Sequence, residues 1–340
     1  MISGWICLDK PAGMSSNAAM IKVRKILGEN TGYVGTLDPF ATGVLPIAVG
    51  EARKFIRFVE ESEKEYVFTV VFGKTTDTLD KDGEIVATTD NIPNAKAISD
   101  ALSKFVGEIE QIPPAFSAIK INGRRACDRV RNGESVELKS RRIRIFELEM
   151  IQESSLLSSA SSHLRHCEED EVRRGNLEKN ERQDARLLRR PAPRNDVSGE
   201  IREITFRVLC SKGTYVRSLA RDIAEKLGSL AYVKTLRRTK SGFFSTNNII
   251  SLEKLIEIND TSKLNEVLAS VESPLDDIPA LYLRSESVVK LRNGLKVSYE
   301  CFEESSNVKI FDDESGKFCG IGFVSDDGLI KPVRMMCFNN

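Results

Sequence analysis

The residue with the clearest chemical potential is Asp38, the only carboxylate within residues 32–50. That segment has four glycines and two prolines, and apolar side chains fill most of its other positions. Glycine reaches positive φ at little cost and proline restricts φ, so the composition indicates a shaped loop packed against a core. A carboxylate there loses hydration and needs a cation or hydrogen-bond donors. Two interpretations remain open, a reactive carboxylate and an Asp-Pro turn in which Asp38 caps local N–H groups.

Histidine chemistry is not expected, because the two histidines, His163 and His166, fall in a stretch that resembles an insertion. A Ser-His-Asp mechanism, a Cys-His mechanism and a histidine-ligated metal are therefore disfavoured. Seven scattered cysteines without a C-x-x-C pair predict reduced thiols in a cytoplasmic protein, with neither a disulfide framework nor a zinc site. The apolar runs are too short for a membrane span, and the N-terminus lacks a signal-peptide pattern.

The charge balance predicts that any nucleic-acid surface is local. Lysine plus arginine and aspartate plus glutamate each total 50, so the formal net charge is zero. Two runs concentrate positive charge, K-S-R-R-I-R at residues 139–144 and K-T-L-R-R-T-K at residues 234–240. Each run is compatible with an RNA contact and with an ordinary solvated face.

Periodicity predicts the elements that would hold this loop. Strands are expected at residues 4–8, 65–73, 141–151 and 203–209, and helices at residues 16–27, 51–60, 94–105, 123–132 and 216–227. The acidic stretch T-D-T-L-D-K-D-G at residues 76–83 lacks the ligand spacing of a calcium loop and predicts a hairpin or a connection.

Composition divides the chain into segments. Residues 154–199 lose apolar content and periodicity, which is typical of a disordered insertion at the tip of a hairpin. Residues 1–250 otherwise form the main domain, and residues 251–278 are expected to form a helical linker. Residues 279–340 contain short strands between N-G, S-G and D-G turns, which predict a small barrel.

Four motifs occur in order along the chain, at residues 4–16 (G-W-I-C-L-D-K-P-A-G-M-S-S), 36–43 (T-L-D-P-F-A-T-G), 111–120 (Q-I-P-P-A-F-S-A-I-K) and 210–219 (C-S-K-G-T-Y-V-R-S-L). Together they resemble the bacterial TruB family of tRNA pseudouridine synthases, which act on the uridine at position 55 of the T loop. The resemblance implies an α+β catalytic domain with a central mixed, mostly antiparallel sheet flanked by helices, followed by a PUA-like RNA-binding barrel. It also implies that residues 111–120 form a strand bracing the active-site loop, although a polyproline connector fits them too.

The resemblance assigns roles to five residues. Asp38 is the catalytic carboxylate, Arg217 is the cation that faces it, and Tyr66 stacks on the target base and handles its proton. Tyr215 and Leu236 line the uracil pocket. Taken without the resemblance, Arg217 is equally compatible with a surface charge in a first helical turn, and the other three with strand or core positions.

Tyr33 occupies the place of a family histidine. The family motif G-H-T-G corresponds here to Gly32-Tyr33-Val34-Gly35. The resemblance implies that this side chain fills the gap left by the flipped uridine. A tyrosine ring can still stack there, but it lacks the hydrogen bonds of an imidazole.

The implied reaction moves uracil from an N1 to a C5 linkage without net oxidation or reduction, so no cofactor and no metal are expected. The implied partner is the T stem-loop of tRNA, with no guide RNA, and the protein is expected to act as a monomer. Two alternatives remain, a non-catalytic tRNA-binding or tRNA-folding protein and the catalytic subunit of a guide-RNA particle.

Overall fold

A computed structural model describes residues 2–151, 202–258, 264, 266–299 and 306–337. The predicted insertion at residues 154–199, with both histidines, lies outside the described residues. Within them, no helix is both long and apolar enough to cross a membrane.

The first half of the chain alternates strands and short helices. Strands β1 to β10 are Gly4–Lys10, Thr31–Tyr33, Thr42–Val49, Lys64–Phe72, Lys74–Thr76, Ile85–Thr88, Gly107–Gln111, Lys120–Ile121, Arg124–Arg125 and Arg141–Ile151. Helices α1 to α4 are Ser16–Leu27, Ile56–Glu60, Ala95–Leu102 and Ala126–Arg131, with 3-10 turns at Gly50–Phe55 and Ser103–Phe105.

The second half supplies the remaining elements. Strands β11 to β19 are Glu203–Cys210, Ala231–Ser241, Phe244–Ser245, Ile250–Ser251, Ala280–Leu283, Val297–Ser298, Ser306–Asp312, Phe318–Val324 and Leu329–Met335. Helices α5 to α7 are Val216–Lys226, Leu252–Glu257 and Ser285–Arg292, with 3-10 turns at Thr246–Asn248 and Ser273–Leu275.

Ten of the described strands form one mixed sheet, in the order β14-β1-β3-β12-β4-β11-β10-β7, with β2 beside β3 and β13 beside β12. The pairs β1–β14 and β3–β12 are parallel and the other pairs are antiparallel. This confirms the predicted α+β architecture with a mixed, mostly antiparallel sheet. The strands β10 and β11 pair as the predicted hairpin.

The sheet is buried on both faces around β1. Ile6 and Leu8 join a core with apolar residues of helices α1, α3, α5 and α6. Trp5 and Cys7 alternate onto the opposite face, where they pack with Phe55 and the C-terminal Phe318. This period-two alternation lets one strand serve two cores. The C-terminal sheet is therefore packed against the central sheet through apolar side chains.

Three helix termini have residues suited to capping. The Ser15 hydroxyl accepts the Ala18 N–H at 3.1 Å and begins α1, and Gly28 ends it with φ of 67°. Gly228 has φ of 67° just after α5. A left-handed residue satisfies carbonyls at a helix end, and glycine adopts that conformation without a Cβ penalty.

Several predicted elements are wrong in kind or extent. The expected strand at residues 111–120 ends at Gln111, and the chain is irregular up to Lys120, because Pro113 and Pro114 lack ladder donors. The expected helix at residues 51–60 begins as a 3-10 turn, and the helix at residues 123–132 covers only Ala126–Arg131. The segment predicted as a helical linker, residues 251–278, is helical at Leu252–Glu257, at residues 264 and 266–267 and in the 3-10 turn Ser273–Leu275, and Ala269 pairs with Trp5 as an isolated bridge.

The small C-terminal β-structure is confirmed, with five described strands in the order β15-β17-β18-β19-β16. One detail differs from the sequence prediction. The Asn293-Gly294 pair ends helix α7 and is not a hairpin turn, because apolar spacing upstream buries Val288 and Leu291 on one helix face. An N-G pair suits both a hairpin and a helix end, since both require positive φ.

Candidate active site

The Asp38 loop is held by side chains that bind the residues on either side of the aspartate. The Ser16 hydroxyl accepts the Leu37 N–H at 2.8 Å and donates to the Leu37 carbonyl at 3.0 Å. The Lys10 ammonium donates to the Pro39 carbonyl at 3.2 Å. Because both neighbours are fixed, the direction of the Asp38 side chain is set by the backbone.

Arg217 lies against Asp38. Its Nη2 donates to Asp38 Oδ1 at 3.1 Å, and its Nε lies 2.9 Å from Oδ2 as an ion pair whose angle falls short of a hydrogen bond. The Arg217 side chain is 4% exposed and that of Asp38 is 33% exposed. The cation is thus inside the protein, while the carboxylate remains open to a ligand. The partner of Asp38 is a guanidinium, which disfavours the interpretation of Asp38 as a local turn cap.

Three further acceptors surround the same guanidinium. Arg217 donates to the carbonyls of Thr78 at 2.8 Å and Phe116 at 3.0 Å, and its Nη1 lies 3.3 Å from Asp80 Oδ2. A guanidinium has five N–H donors in a fixed plane, so contacts on several edges restrain its position. Arg217 is therefore placed by residues from three separate segments.

Asp80 was missed as a site residue by the sequence analysis, which predicted only a hairpin or a connection there. The hairpin is present as the pair β5–β6. Its turn has Leu79 at φ of 61°, a costly conformation for a non-glycine residue. Burial raises the pKa of Asp80, while the Thr78 hydroxyl and Arg217 oppose that shift. The signal in the sequence that could have identified Asp80 was the presence of three aspartates in one turn, at positions 77, 80 and 82.

Gln111 is a second residue that the sequence analysis did not assign. Its side chain is fully buried, and its amide accepts the Tyr215 N–H at 2.8 Å and donates to the Tyr215 carbonyl at 3.1 Å. The Ser218 hydroxyl donates to the Ile112 carbonyl at 2.8 Å. These bonds attach the start of α5, and hence Arg217, to the end of β7. The segment after Gln111 thus braces the site as predicted, although it is not a strand.

All six predicted site residues line one open cleft of about 1230 Å³, namely Tyr33, Asp38, Tyr66, Tyr215, Arg217 and Leu236. Tyr66 and Leu236 are 9% and 7% exposed, so their alternative description as core residues is also accurate. Burial raises the pKa of Tyr66 and of Tyr215. The volume exceeds that of a usual small-molecule pocket and fits part of a larger substrate.

Two buried lysines lie near this cleft. The Lys10 ammonium also donates to the carbonyls of Pro11 at 2.8 Å and Met14 at 2.6 Å, and Lys64 donates to the Glu60 carbonyl at 2.5 Å. Burial lowers the pKa of each lysine to about 8.

Within the described ranges, no cluster of three His, Cys, Asp or Glu side chains could hold a metal ion.

Comparison with solved structures supports the fold. The chain matches a Cbf5-Nop10-Gar1 complex with a TM-score of 0.63 at 23% identity, covering 94% of this chain and 78% of the other. It also matches a structure of an H/ACA RNP bound to a substrate RNA containing 2′-deoxyuridine, with a TM-score of 0.64 at 20% identity over 99% of this chain and 85% of the other.

Family models and curated relatives match most of the chain. Residues 23–168 match the N-terminal domain of the TruB family pseudouridylate synthases, and residues 217–276 and 279–336 match two TruB C-terminal domains. The chain is 38% identical to tRNA pseudouridine synthase B of Caulobacter vibrioides over 86% of this chain and 80% of the relative. Identity is 40% to that of Zymomonas mobilis, over 87% and 84%, and 36% to that of Saccharophagus degradans, over 98% and 96%.

These findings define an enzyme of the pseudouridine synthase class, an isomerase. The chain belongs to the TruB family, which confirms the resemblance carried by the four motifs.

Proposed function

We propose that this protein converts uridine to pseudouridine at position 55 in the T loop of tRNA. The curated relatives are tRNA pseudouridine synthases, which supports the substrate class. The reaction breaks the C1′–N1 bond, forms a C1′–C5 bond, removes the C5 proton and adds a proton at N1. Atoms and electrons balance without an added reactant.

The observation that carries this proposal is the partly exposed Asp38 carboxylate held against the buried Arg217. The Arg217 guanidinium holds the carboxylate in place by a hydrogen bond and an ion pair, and Asp38 attacks the nucleotide or stabilises positive charge at the sugar. Tyr66 stacks on the uracil and takes part in moving its proton, while Tyr215 and Leu236 enclose the base. Each of these side chains lines the same cleft.

The decisive experiment measures tritium release from tRNA labelled at uridine C5. Wild type is expected to release tritium, and Asp38→Asn is expected to release none above background while its tRNA affinity changes by less than about twofold. If wild type binds tRNA but releases no tritium, the protein is a tRNA-binding or tRNA-folding factor. If Asp38→Asn stays active, the assignment of Asp38 is wrong.

Tyr33 is the proposed replacement for the flipped uridine in the T-loop stack. Its half-buried ring lines the cleft from β2, across from strand β3. Flipping a base costs a few kcal/mol of unstacking, and an aromatic ring can recover part of it. Tyr33→Ala is expected to weaken productive tRNA binding more than it slows the chemical step, and Tyr33→Phe should behave as wild type. Unchanged binding by Tyr33→Ala would contradict this role.

The proposed phosphate-binding surface is the set of arginines at the cleft mouth: Arg125, Arg131, Arg141 and Arg142. Among the described residues, none of them forms an ion pair with a carboxylate. The second basic run differs, because Lys234 pairs with Glu203 at 2.7 Å and Arg237 with Asp9 at 3.0 Å. The run at residues 139–144 is therefore better suited to RNA than the run at residues 234–240.

Salt dependence tests this surface. Removal of one phosphate contact lowers the slope of log affinity against log salt concentration by about 1. Arg142→Gln is expected to weaken tRNA binding with such a change in slope, whereas Lys234→Gln should leave the slope unchanged. Equal effects of the two substitutions would contradict the assignment.

We further propose that the protein acts alone in the cytoplasm, as a monomer without guide RNA. The curated relatives are tRNA pseudouridine synthases, which supports this proposal. The purified protein is expected to modify a synthetic T stem-loop and to elute as a monomer. Activity only after addition of a cellular RNA fraction would favour the guide-RNA alternative.

A further inference from the structure

Arg238 is a buried arginine beneath the Asp38 loop. It lies on β12 next to Arg237, but its side chain points to the opposite face and the residue is 1% exposed. Arg237 instead reaches the surface, where its side chain is 40% exposed and pairs with Asp9. The two adjacent arginines therefore have opposite environments.

The Arg238 guanidinium joins the two ends of the Asp38 loop. Its Nη2 donates to the carbonyls of Gly35 at 3.0 Å and Val34 at 3.4 Å, before the aspartate. Its Nε donates to the Val44 carbonyl at 2.7 Å, after the aspartate. A single side chain thus crosses the base of the loop that carries Asp38.

The loop backbone lies close to Arg238, to its side chain at Gly35 and to its backbone at Gly43. Gly35 has φ of 67°, and a Cβ added there would lie 2.9 Å from Arg238 Nη1. Gly43 has φ of 100°, and its Cβ would lie 2.2 Å from the Arg238 carbonyl oxygen. The two glycines that flank Asp38 are therefore required both by conformation and by the close approach of Arg238.

The charge of Arg238 is expensive to bury. No carboxylate of the described residues lies within ion-pair distance of it; backbone carbonyls accept hydrogen bonds from it, and the Tyr66 side chain also hydrogen-bonds it. Burying a charge without a counter-ion costs free energy, and an apolar residue of similar volume would stabilise a purely structural site better. A costly buried charge next to a reactive residue indicates a functional requirement.

We propose that Arg238 is a positioning residue that clamps the two ends of the Asp38 loop and thereby aims the carboxylate at the nucleotide. The inference rests on the proposed isomerase activity and extends it to a residue that acts through the backbone of the Asp38 loop. Only a planar fork can reach carbonyls on both sides of the loop at once, so lysine cannot replace it.

The test compares Arg238→Met, Arg238→Lys and the neighbouring control Arg237→Gln in the full-length protein. Both Arg238 variants are expected to lower the single-turnover rate of tritium release about 100-fold, because a shift of about 1 Å in a reacting group costs this much. Their tRNA affinity should stay within about twofold of wild type. Arg237→Gln should keep the wild-type rate.

A second measurement reports on the loop itself. Amide hydrogen exchange of residues 34–44 is expected to accelerate in both Arg238 variants and not in Arg237→Gln, because the clamp is lost only in the former. A loss of rate without loss of binding, together with faster exchange, supports a positioning role that a general loss of stability would not produce.

The outcomes separate this inference from the proposed function. If wild type releases no tritium, the proposed function fails and the inference fails with it. If wild type is active and a folded Arg238→Met or Arg238→Lys is equally active, only the positioning role is overturned. If neither variant folds, Arg238 is a folding residue, and the positioning role is likewise overturned.

Discussion

Arg217 and Arg207 each contact several acceptor groups, but Arg217 is buried and Arg207 is partly exposed to solvent. Arg217 contacts two carboxylates and two carbonyls, and its side chain is 4% exposed. Arg207 contacts three carboxylates, those of Glu65 at 2.7 Å, Glu147 at 2.6 Å and Glu149 at 2.7 Å, and its side chain is 29% exposed. Arg207 therefore forms more ion pairs than Arg217.

The comparison teaches that the functional importance of an arginine cluster depends on the burial of the guanidinium and on the access of its carboxylate to the cleft, more than on the number of ion pairs. Water screens the Arg207 cluster on the sheet surface, and such pairs contribute little to stability. The Arg217 cluster is desolvated, so loss of one partner leaves a buried charge without compensation. It is also the cluster whose carboxylate, Asp38, opens into the cleft. Hydrogen bonds to Glu149 raise the pKa of Arg207, yet no described feature connects that residue to the cleft.

The largest expected effect comes from Arg217→Lys. Lysine keeps the charge but cannot contact Asp38, Asp80 and two carbonyls at once. We expect kcat for tritium release to fall by about 10² to 10³, comparable to the loss of a donor that stabilises a transition state. Single-turnover kinetics at saturating enzyme measure this. A Lys variant with wild-type kcat would show that a positive charge at position 217 is enough for activity. The contrast drawn between Arg217 and Arg207 would then lose its basis.

The next effect is expected for Asp80→Asn. The amide keeps the size of the side chain but removes the negative charge 3.3 Å from Arg217. Removal of one partner of a buried ion pair is costly, so we expect kcat to fall by about 10- to 100-fold. Affinity for tRNA should be unchanged, since Asp80 is buried and acts through its contact with Arg217. Weaker binding with normal kcat would place Asp80 in substrate recognition instead.

A pH series sharpens the contrast between buried and surface cations. The pKa of Lys10 is lowered by burial from 10.5 to about 8, as is that of Lys64. Between these pH values the unfolded chain binds more protons, so the free energy of unfolding rises with pH by about 1.4 kcal/mol per pH unit for each lysine. Below pH 8 both states are protonated and this rise is absent.

The measurement is urea unfolding of wild type and Lys10→Met from pH 7.5 to 9.5, a range of about two pH units around the lowered pKa. We expect the variant to lose part of the rise above pH 8. Lys234→Met is the surface control, because the Glu203 side chain raises the pKa of Lys234. If all three proteins show the same slope, the ammonium of Lys10 does not titrate in this range.

The smallest effect is expected for Arg207→Gln. Its pairs are partly exposed and screened, so we expect a loss of no more than about 1 kcal/mol of stability and no change in tritium release. Urea unfolding in low and high salt measures the electrostatic part. A loss of activity comparable to that of Arg217→Lys would mean that the surface cluster is coupled to the cleft.

Local signals in the sequence predicted much of the fold. Ser15 and Gly28 mark the ends of α1, β-branched and aromatic residues mark β4, and period-two alternation marks β10. Such features depend on neighbours a few residues apart, which the sequence displays directly. The strand expected at residues 111–120 came from the family resemblance, and it is wrong because the two prolines after Gln111 prevent regular pairing. The expected domain limits, 1–250, 251–278 and 279–340, remain predictions.

Asp38, Arg217 and Tyr66 were predicted as a site only through motif resemblance, since their types and spacing also fit a turn, a surface charge and a strand aromatic. Asp80 and Gln111 escaped prediction because each acts on a residue more than 100 positions away. Nothing local distinguishes a buried glutamine that binds a distant backbone from an ordinary polar residue near a loop.

By itself, the sequence determined that the Asp38 loop must bend, because glycine and proline restrict the backbone locally. The order of its four motifs indicated the family, and none of those motifs contains a histidine. Only the tertiary structure decided which charges are neutralised. It paired Lys234 and Arg237 with distant acids, left the arginines of the cleft mouth without an ion pair among the described residues, and buried Arg238 beneath the Asp38 loop. The physical reason is that the energy of a charge depends on burial and on partners brought together by folding, and neither is written in the spacing along the chain.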